Sequence, residues 1–347
     1  MKKVTGILIS SLFLISAVWA AGGSSDMEKL GMRLYNDKNM SYNGTQSCRN
    51  CHHHFSGFAD ITNYLDPSAS FVSTGADGVN KGGRNAPSAA YAGFSPKLHV
   101  NDAGNYVGGM FWDGRADGSS VLEDPLAEQA QGPPLNMVEM AMPSKDAVIQ
   151  VIKNSDYVNL WYDVFPESLE DVDAAYDNFG IAIAAYERSS DVTKFTSKFD
   201  TAKLAFTAAE QAGQALFETK CASCHSTTAA FGAPAPLFTN YQYTNIGVPT
   251  NPGIPSGPDL GLGPVVGDDT QNGKFKIPTL RNIVLSAPYS HNGVFPTLME
   301  MLQFINNRSG FTAEVEDNLS EAVGSLKLTS KELRNIEAFL MTLTDDY

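Results

Sequence analysis

All four cysteines of the 347-residue chain lie in two short motifs, and a histidine follows each motif directly. The motifs run Cys48-Arg49-Asn50-Cys51-His52 and Cys221-Ala222-Ser223-Cys224-His225. In a C-x-x-C-H motif, each thiol can bond one vinyl group of a porphyrin, and the adjacent histidine can then reach the iron as its proximal ligand. The spacing therefore predicts two covalently bound c-type haems, with His52 and His225 on the irons.

Three other uses of four cysteines stay open at this point. Two disulfides would account for the thiols, but they would not need a histidine after each pair. A zinc site usually takes its Cys-x-x-Cys pairs from closer positions than Cys48 and Cys221. A thioredoxin-like redox pair would need a surrounding βαβ pattern, which the sequence lacks. The histidine after each pair favours haem attachment.

A helix is predicted before each motif, over residues 28–35 and 210–217. In both segments a glycine lies four positions before an aromatic residue, as Gly31 before Tyr35 and Gly213 before Phe217. Glycine inside a helix costs about 1 kcal/mol relative to alanine. Its presence at equivalent positions predicts that each helix closely contacts another element there.

An amphipathic helix is also predicted at the end of each half, over residues 172–188 and 330–344. Between the helices, and above all in residues 232–278, glycine and proline are frequent, and almost no alternating strand pattern is seen. We therefore predict a mainly α fold of two tandem cytochrome c-like domains with long irregular loops. The N-terminal domain would cover residues 21–200 and the C-terminal domain residues 201–347.

Charge and the N-terminus bear on where the chain acts. With 24 Lys and Arg against 38 Asp and Glu, the net charge of −14 argues against a nucleic-acid partner. Lys2 and Lys3 precede a mostly apolar run at residues 7–19, and Val18 and Ala20 are small enough for a signal-peptidase site. We expect export to a bacterial periplasm with cleavage after Ala20 and no stable membrane insertion. An uncleaved anchor is the alternative, although the run is shorter than the roughly 20 residues that span a bilayer.

Further motifs occur in a fixed order along the rest of the chain. They are GRNAP at 83–87, FWDGR at 111–115, EQAQGP at 128–133, VEM at 138–140, YTNIGVP at 243–249, PTLRN at 278–282 and APYSHNG at 287–293. Together with the haem motifs, this set closely resembles the bacterial di-haem cytochrome c peroxidase and MauG family. The resemblance implies that the haem on His52 reacts with peroxide, while the haem on His225 relays or stores electrons.

The resemblance also implies roles for single side chains. Trp112 matches a tryptophan between the two haems, where an indole can pass electrons; a plain core tryptophan is the alternative. Gln129, Pro133 and Glu139 match the distal pocket over the N-terminal haem. Glu139 would take a proton from peroxide and return it to the leaving oxygen, unless it is an ordinary surface glutamate.

A calcium ion between the domains is a further implication of the resemblance. Asn85 matches its side-chain ligand, and Ser286 and Pro288 match positions that supply backbone oxygens, the ligand type that calcium prefers. His291 matches a histidine near the second haem, and we assign it only a supporting role.

Two positions depart from the family pattern. The distal histidine that many family peroxidases carry is missing from residues 75–83, where Asp77 stands near its place, so we expect an open N-terminal haem. Position 305, where the family has Met or Tyr as sixth ligand of the C-terminal haem, is Ile305, which cannot bind iron. Met301, one helical turn earlier, is a candidate ligand; core packing of Met299 and Met301 is the alternative.

Three functions follow from these residues. The first is a peroxidase that reduces hydrogen peroxide to water with electrons from a small periplasmic donor, a cytochrome c or cupredoxin. The second is a MauG-like enzyme that oxidises side chains of a partner protein, which the missing distal histidine favours and Ile305 disfavours. The third is a di-haem electron carrier, against which Gln129 and Glu139 argue. The resemblance also leaves a homodimer open.

Overall fold

The computed structural model describes residues 24–166 and 169–347, so the predicted signal segment lies outside the described residues. The helices are α1 Asp26–Asn36, α2 Cys48–Cys51, α3 Ile61–Leu65, α4 Pro125–Ala130, α5 Gly132–Leu135, α6 Lys145–Lys153, α7 Val158–Val164, α8 Val172–Arg188, α9 Lys198–Thr201, α10 Ala208–Lys220, α11 Gly263–Val266, α12 Leu298–Asn306 and α13 Ser330–Met341. The strands are β1 His99–Val100, β2 Tyr106–Val107, β3 Tyr243–Thr244 and β4 Phe275–Lys276. The mainly α prediction is confirmed.

Each half is built on a pair of packed helices, α1 with α8 and α10 with α13. The two repeated glycines lie where the helices touch. A Cβ on Gly31 would lie 1.9 Å from the carbonyl oxygen of Ala182, and one on Gly213 would lie 1.8 Å from that of Asn335. Only a residue without a side chain fits at such a contact, so the predicted close approach is confirmed at both positions.

The apolar core follows the same division. One cluster surrounds α1 and α8, with Leu30 and Phe179 buried in it, and another surrounds α10 and α13, with Phe217 and Phe339. These clusters and the fold of the relatives described below confirm two tandem cytochrome c-like domains. The domain limits at residues 200 and 201 remain a prediction.

The loop region at residues 232–278 contains more structure than its composition indicated. It holds the short helix α11 and the antiparallel pair β3–β4, in which Tyr243 faces Lys276. The backbone N–H of Lys276 donates to the carbonyl oxygen of Trp112 at 2.9 Å. This hydrogen bond connects the β3–β4 pair to the N-terminal half. In the described ranges, no helix is long and apolar enough to cross a membrane.

Candidate active site

Each C-x-x-C-H motif forms a single helical turn that presents its histidine. The backbone N–H of His52 donates to the carbonyl oxygen of Cys48 at 2.9 Å, and that of His225 donates to Cys221 at the same distance. The Tyr35 hydroxyl, from α1, also donates to the His52 carbonyl at 2.8 Å. Helix α1 therefore helps to place the first motif, as its proximity in sequence predicts.

Both imidazoles are oriented by a backbone carbonyl. Nδ1 of His52 lies 3.1 Å from the Phe58 oxygen, and Nδ1 of His225 lies 2.8 Å from the Phe238 oxygen. Because a carbonyl only accepts hydrogen bonds, Nδ1 must carry the proton, and Nε2 keeps a free lone pair. Burial lowers the pKa of both histidines, which favours the neutral ring that binds iron.

The two motifs line one continuous cavity of about 660 Å³. The four cysteines form no disulfide with one another, so the disulfide alternative is not realised here. Burial raises the pKa of Cys51 and Cys221 to about 12, which keeps these thiols protonated. Two pairs of free thiols and two oriented histidines in one cavity fit a pair of c-type haems. Elsewhere in residues 24–166 and 169–347, no cluster of three or more His, Cys, Asp or Glu is arranged to hold a metal.

Polar side chains meet on the N-terminal side of this cavity. Gln129, Pro133 and Glu139 all line it, as the sequence resemblance implies. The Asn136 amide donates to Oε1 of Glu139 at 2.9 Å. Burial raises the pKa of Glu139, while the charge of Arg115 and the hydrogen bond from Asn136 oppose the shift. Glu139 is therefore half-buried and faces the cavity, and its acid–base role stays a prediction.

Trp112 lines the same cavity and is tied to both halves of the molecule. Its indole N–H donates to the carbonyl oxygen of Asn85 at 2.9 Å, and its own carbonyl accepts from Lys276. It is half-buried rather than enclosed in a core cluster. Its position fits a residue between two haem sites, and its electron-relay role stays a prediction.

The predicted calcium ligands also border the cavity. Asn85 is buried, and its side-chain amide lies 3.1 Å from the Pro288 carbonyl oxygen, across the domain boundary. Ser286 lines the cavity beside it. His291 is held by Glu314, 3.0 Å from its Nε2, and stacks on Phe275 at 3.6 Å. Oxygen atoms of the type that calcium prefers are thus present, and the ion itself stays a prediction.

The two departures from the family pattern have structural counterparts. Asp77 accepts hydrogen bonds from the backbone of Val79 and Asn80 in a surface turn, away from the cavity wall. Met299, Met301 and Ile305 all pack against the C-terminal core cluster, and of these three Met301 and Ile305 also line the cavity. Met301 is therefore placed better than Met299 for an axial contact, and its ligation stays a prediction.

Several candidate functional residues have no role predicted from the sequence. They are Asn136 and Arg115 beside Glu139, Tyr241 and Lys276 between the halves, and Glu187 on α8, all of which line the cavity. Burial raises the pKa of Glu187 to about 8. Glu187 could have been found from the sequence, because it lies four residues after the apolar Ile183 and this spacing puts both on the inner face of α8. Asn136 and Lys276 do not belong to a comparable periodic pattern of apolar residues.

Comparison with known proteins gives the same assignment. The chain matches the family model of di-haem cytochrome c peroxidase at residues 25–205 and that of cytochrome c at residues 210–344. It is 34% identical over 348 residues to the methylamine utilization protein MauG of Paracoccus denitrificans, covering 91% of this chain and 88% of that protein. It is 28% identical to the cytochrome c551 peroxidase of Nitrosomonas europaea, covering 93% of this chain and 81% of the other.

Solved structures show the same fold. The di-haem peroxidase BthA of Burkholderia thailandensis aligns with a TM-score of 0.79 and 27% identity, over 92% of this chain and 86% of that one. A MauG-like protein associated with microbial copper homeostasis aligns with a TM-score of 0.70 and 29% identity, over 93% and 90%. The two C-x-x-C-H motifs thus bind two covalent c-type haems. The chain belongs to the di-haem cytochrome c peroxidase and MauG family, and it is an oxidoreductase of the peroxidase type.

Proposed function

We propose that the chain reduces hydrogen peroxide to water at the haem held by His52, with electrons from a small periplasmic cytochrome c or cupredoxin. Each turnover consumes two electrons and two protons and releases two water molecules. Haem iron with a vacant face supplies the redox chemistry for breaking the O–O bond. The observation that carries the proposal is the half-buried Glu139 in the polar part of the cavity.

Glu139 moves the proton in this proposal. Asn136 holds Oε1, and Oε2 makes no hydrogen bond to the described residues. Oε2 can therefore accept the proton of an incoming peroxide and deliver it to the oxygen that leaves. Gln129 and Pro133, on the same wall, restrict the space in which peroxide can lie. Burial raises the pKa of Glu139, which makes it a better proton carrier near neutral pH than a solvated glutamate.

Trp112 carries the electrons between the two haem sites. It borders the cavity that both motifs share, and hydrogen bonds to Asn85 and Lys276 fix it from the two halves. An indole that is fixed by hydrogen bonds changes its position little when it gains or loses an electron, and this suits electron transfer. Electrons from the donor enter at the haem on His225 and leave at the haem on His52.

Oxidation of a partner protein is the second candidate function. It is supported by the 34% identity to MauG and by the absence of a histidine from the segment around Asp77. Ile305 counts against it, because MauG-like proteins have tyrosine there. A mass change on a co-encoded partner protein after peroxide addition would favour this candidate over the peroxidase.

The test is a steady-state assay with peroxide and reduced cytochrome c. We expect Glu139→Gln to keep both haems and to lower peroxide turnover by about 10²–10⁴-fold, the usual contribution of one acid–base group. Glu123→Gln is the matched control, since the Glu123 side chain is 79% exposed, and it should leave turnover unchanged. Equal turnover of the two variants would remove Glu139 from the mechanism. An absence of donor-dependent turnover in the unaltered protein would contradict the peroxidase proposal itself.

Export is part of the same proposal. The periplasm supplies the donors named above, and the segment at residues 1–20 has the composition of a cleaved signal. N-terminal sequencing of the secreted protein should begin at Ala21. A mature protein that still carries the first 20 residues would favour the membrane-anchor alternative.

A further inference from the structure

Lys276 is a cation in the cavity wall without an ionic partner. It lies on β4, and its Nζ donates to the carbonyl oxygen of Gly109 and sits 5.9 Å from the centre of the Tyr241 ring. It forms no ion pair with any described carboxylate, and Asp113 influences it only electrostatically. Removal from water lowers the pKa of Lys276 to about 7. The ammonium is therefore poorly stabilised by the protein alone.

Arg84 and Arg281, which also line the cavity, differ in this respect. Arg84 binds Asp259 through two nitrogens, and Arg281 does the same with Asp200. Those guanidinium groups are satisfied by the chain, whereas the exposed surface of Lys276 faces the cavity. Once a porphyrin fills the cavity, Lys276 loses its remaining water, and an unpaired ammonium there would be strongly unfavourable.

Tyr241 is a second unsatisfied donor at the same place. Its side chain is only 4% exposed, and its hydroxyl makes no hydrogen bond within the described part of the chain. Leaving a buried polar group unpaired destabilises the folded protein. A phenol O–H and an ammonium lie side by side in one wall and both can donate, so an acceptor with negative charge is the group that best completes them.

We propose that Lys276 and Tyr241 bind a propionate of the haem held by Cys221, Cys224 and His225. Each haem brings two propionate carboxylates, which are acceptors of this kind. Positions along the chain indicate which haem this is. Phe238, whose backbone oxygen orients His225, lies three residues before Tyr241. Pro278, whose backbone also approaches His225, lies two residues after Lys276. The inference holds whether peroxide or a partner protein is oxidised.

The ion pair has a consequence for the potential of that haem. A propionate charge stabilises ferric iron, which is the more positive state, and a paired ammonium cancels part of that charge. Without Lys276 the ferric state gains stability, and the midpoint potential falls. Without the Tyr241 hydroxyl a weaker, dipolar contribution is lost, and the potential falls less.

Spectroelectrochemical titration of the haem-loaded protein tests this prediction. We expect Lys276→Met to lower the midpoint potential of the haem on His225, and Tyr241→Phe to lower it by a smaller amount. Lys274→Met is the matched control, because Lys274 lies two residues away and its Nζ binds the side chain of Gln271. It should leave both potentials at the wild-type values.

The opposite result is equally clear. Wild-type potentials in both Lys276→Met and Tyr241→Phe would overturn the proposal and leave Lys276 as a structural support for the Gly109 loop. If Lys276→Met fails to mature with its haems, Tyr241→Phe decides alone, since it removes only one hydroxyl. An unchanged potential in that variant would then reject the propionate contact.

Discussion

The two halves of the molecule present their histidines in the same way and differ on the opposite side of the cavity. In each, a helix with an inner glycine precedes the motif, and a backbone carbonyl orients the imidazole. The remaining wall of the N-terminal half carries Gln129, Asn136 and Glu139. The C-terminal half lines the cavity with the apolar residues Leu302, Met301, Ile305, Val323, Leu326 and Leu328, beside the hydrogen-bonded pair His291 and Glu314.

The comparison teaches that haem attachment and haem reactivity are set by different parts of the chain. The motif and the helix pair make a histidine-ligated c-type haem in both halves. Glu139 lines the N-terminal part of the cavity, whereas the ionisable His291 and Glu314 of the C-terminal part are hydrogen-bonded to each other. Peroxide cleavage needs proton transfer and electron relay does not. In the proposed function, this difference gives proton transfer to the N-terminal half and electron relay to the C-terminal half.

The largest effect that tests this difference between the two halves is expected for a substitution at Met301. We expect Met301→Leu to abolish the low-spin EPR signal of the C-terminal haem in the oxidised protein, because the Met301 thioether would be the sixth ligand of that iron. Ile305→Leu is the control: it keeps the wall apolar and should leave the spectrum unchanged.

An unaltered low-spin signal in Met301→Leu would show that another group binds this iron. A wild-type protein in which both irons are high-spin would go further, because the second haem would then have an open face as well. Both results would break the division of labour inferred from wall polarity.

A second way to test the comparison is to disturb the part that the halves share. We expect Gly31→Ala and Gly213→Ala each to lower the free energy of unfolding by about 1–3 kcal/mol, the usual cost of overpacking. The new methyl group would collide with the carbonyl of Ala182 or Asn335. This collision outweighs the gain of about 1 kcal/mol in helix propensity.

Thermal unfolding of the haem-loaded variants, followed by circular dichroism, measures the effect. Gly257→Ala serves as control, since nothing lies within 4 Å of a Cβ at that loop position, and it should stay within about 0.5 kcal/mol of the wild type. A loss in one half without a loss in the other would show that the two helix pairs do not share the same packing.

Local signals made much of this architecture predictable. The helix at Val172–Arg188 has the predicted limits, because an Asp171 N-cap and a regular apolar stripe mark it. The last helix ends at Met341 rather than at residue 344, since the final residues form a tighter turn through Thr342. Haem attachment follows from contiguous residues and needs no tertiary information.

The rest depends on contacts between distant parts of the chain. Lys276 enters the cavity wall because β4 pairs with β3, about thirty residues earlier, and two-residue strands leave no alternating pattern to detect. The Tyr241 environment combines a C-terminal loop with the N-terminal core cluster. Asn136 is different, because the sequence Asn-x-x-Glu is local and could have been noticed as a turn that places Glu139.

The smallest expected effect concerns that turn. We expect Asn136→Ala to lower the rate of peroxide cleavage by roughly fivefold, since it removes one hydrogen bond worth about 1 kcal/mol. That bond favours the ionised form of Glu139, so its loss raises the pKa of Glu139 further above the ordinary glutamate range. Glu139 accepts a proton only when ionised, and the acidic limb of the pH–rate profile should therefore move to higher pH.

Stopped-flow measurement of peroxide cleavage across the pH range distinguishes this role from a structural one. Asn39→Ala, at an exposed position of the same half, should reproduce the wild-type profile. A rate that falls equally at every pH would mean that Asn136 only supports the fold of the turn. A limb that moves to lower pH would contradict the assigned proton chemistry, because it would require Asn136 to favour the neutral carboxyl.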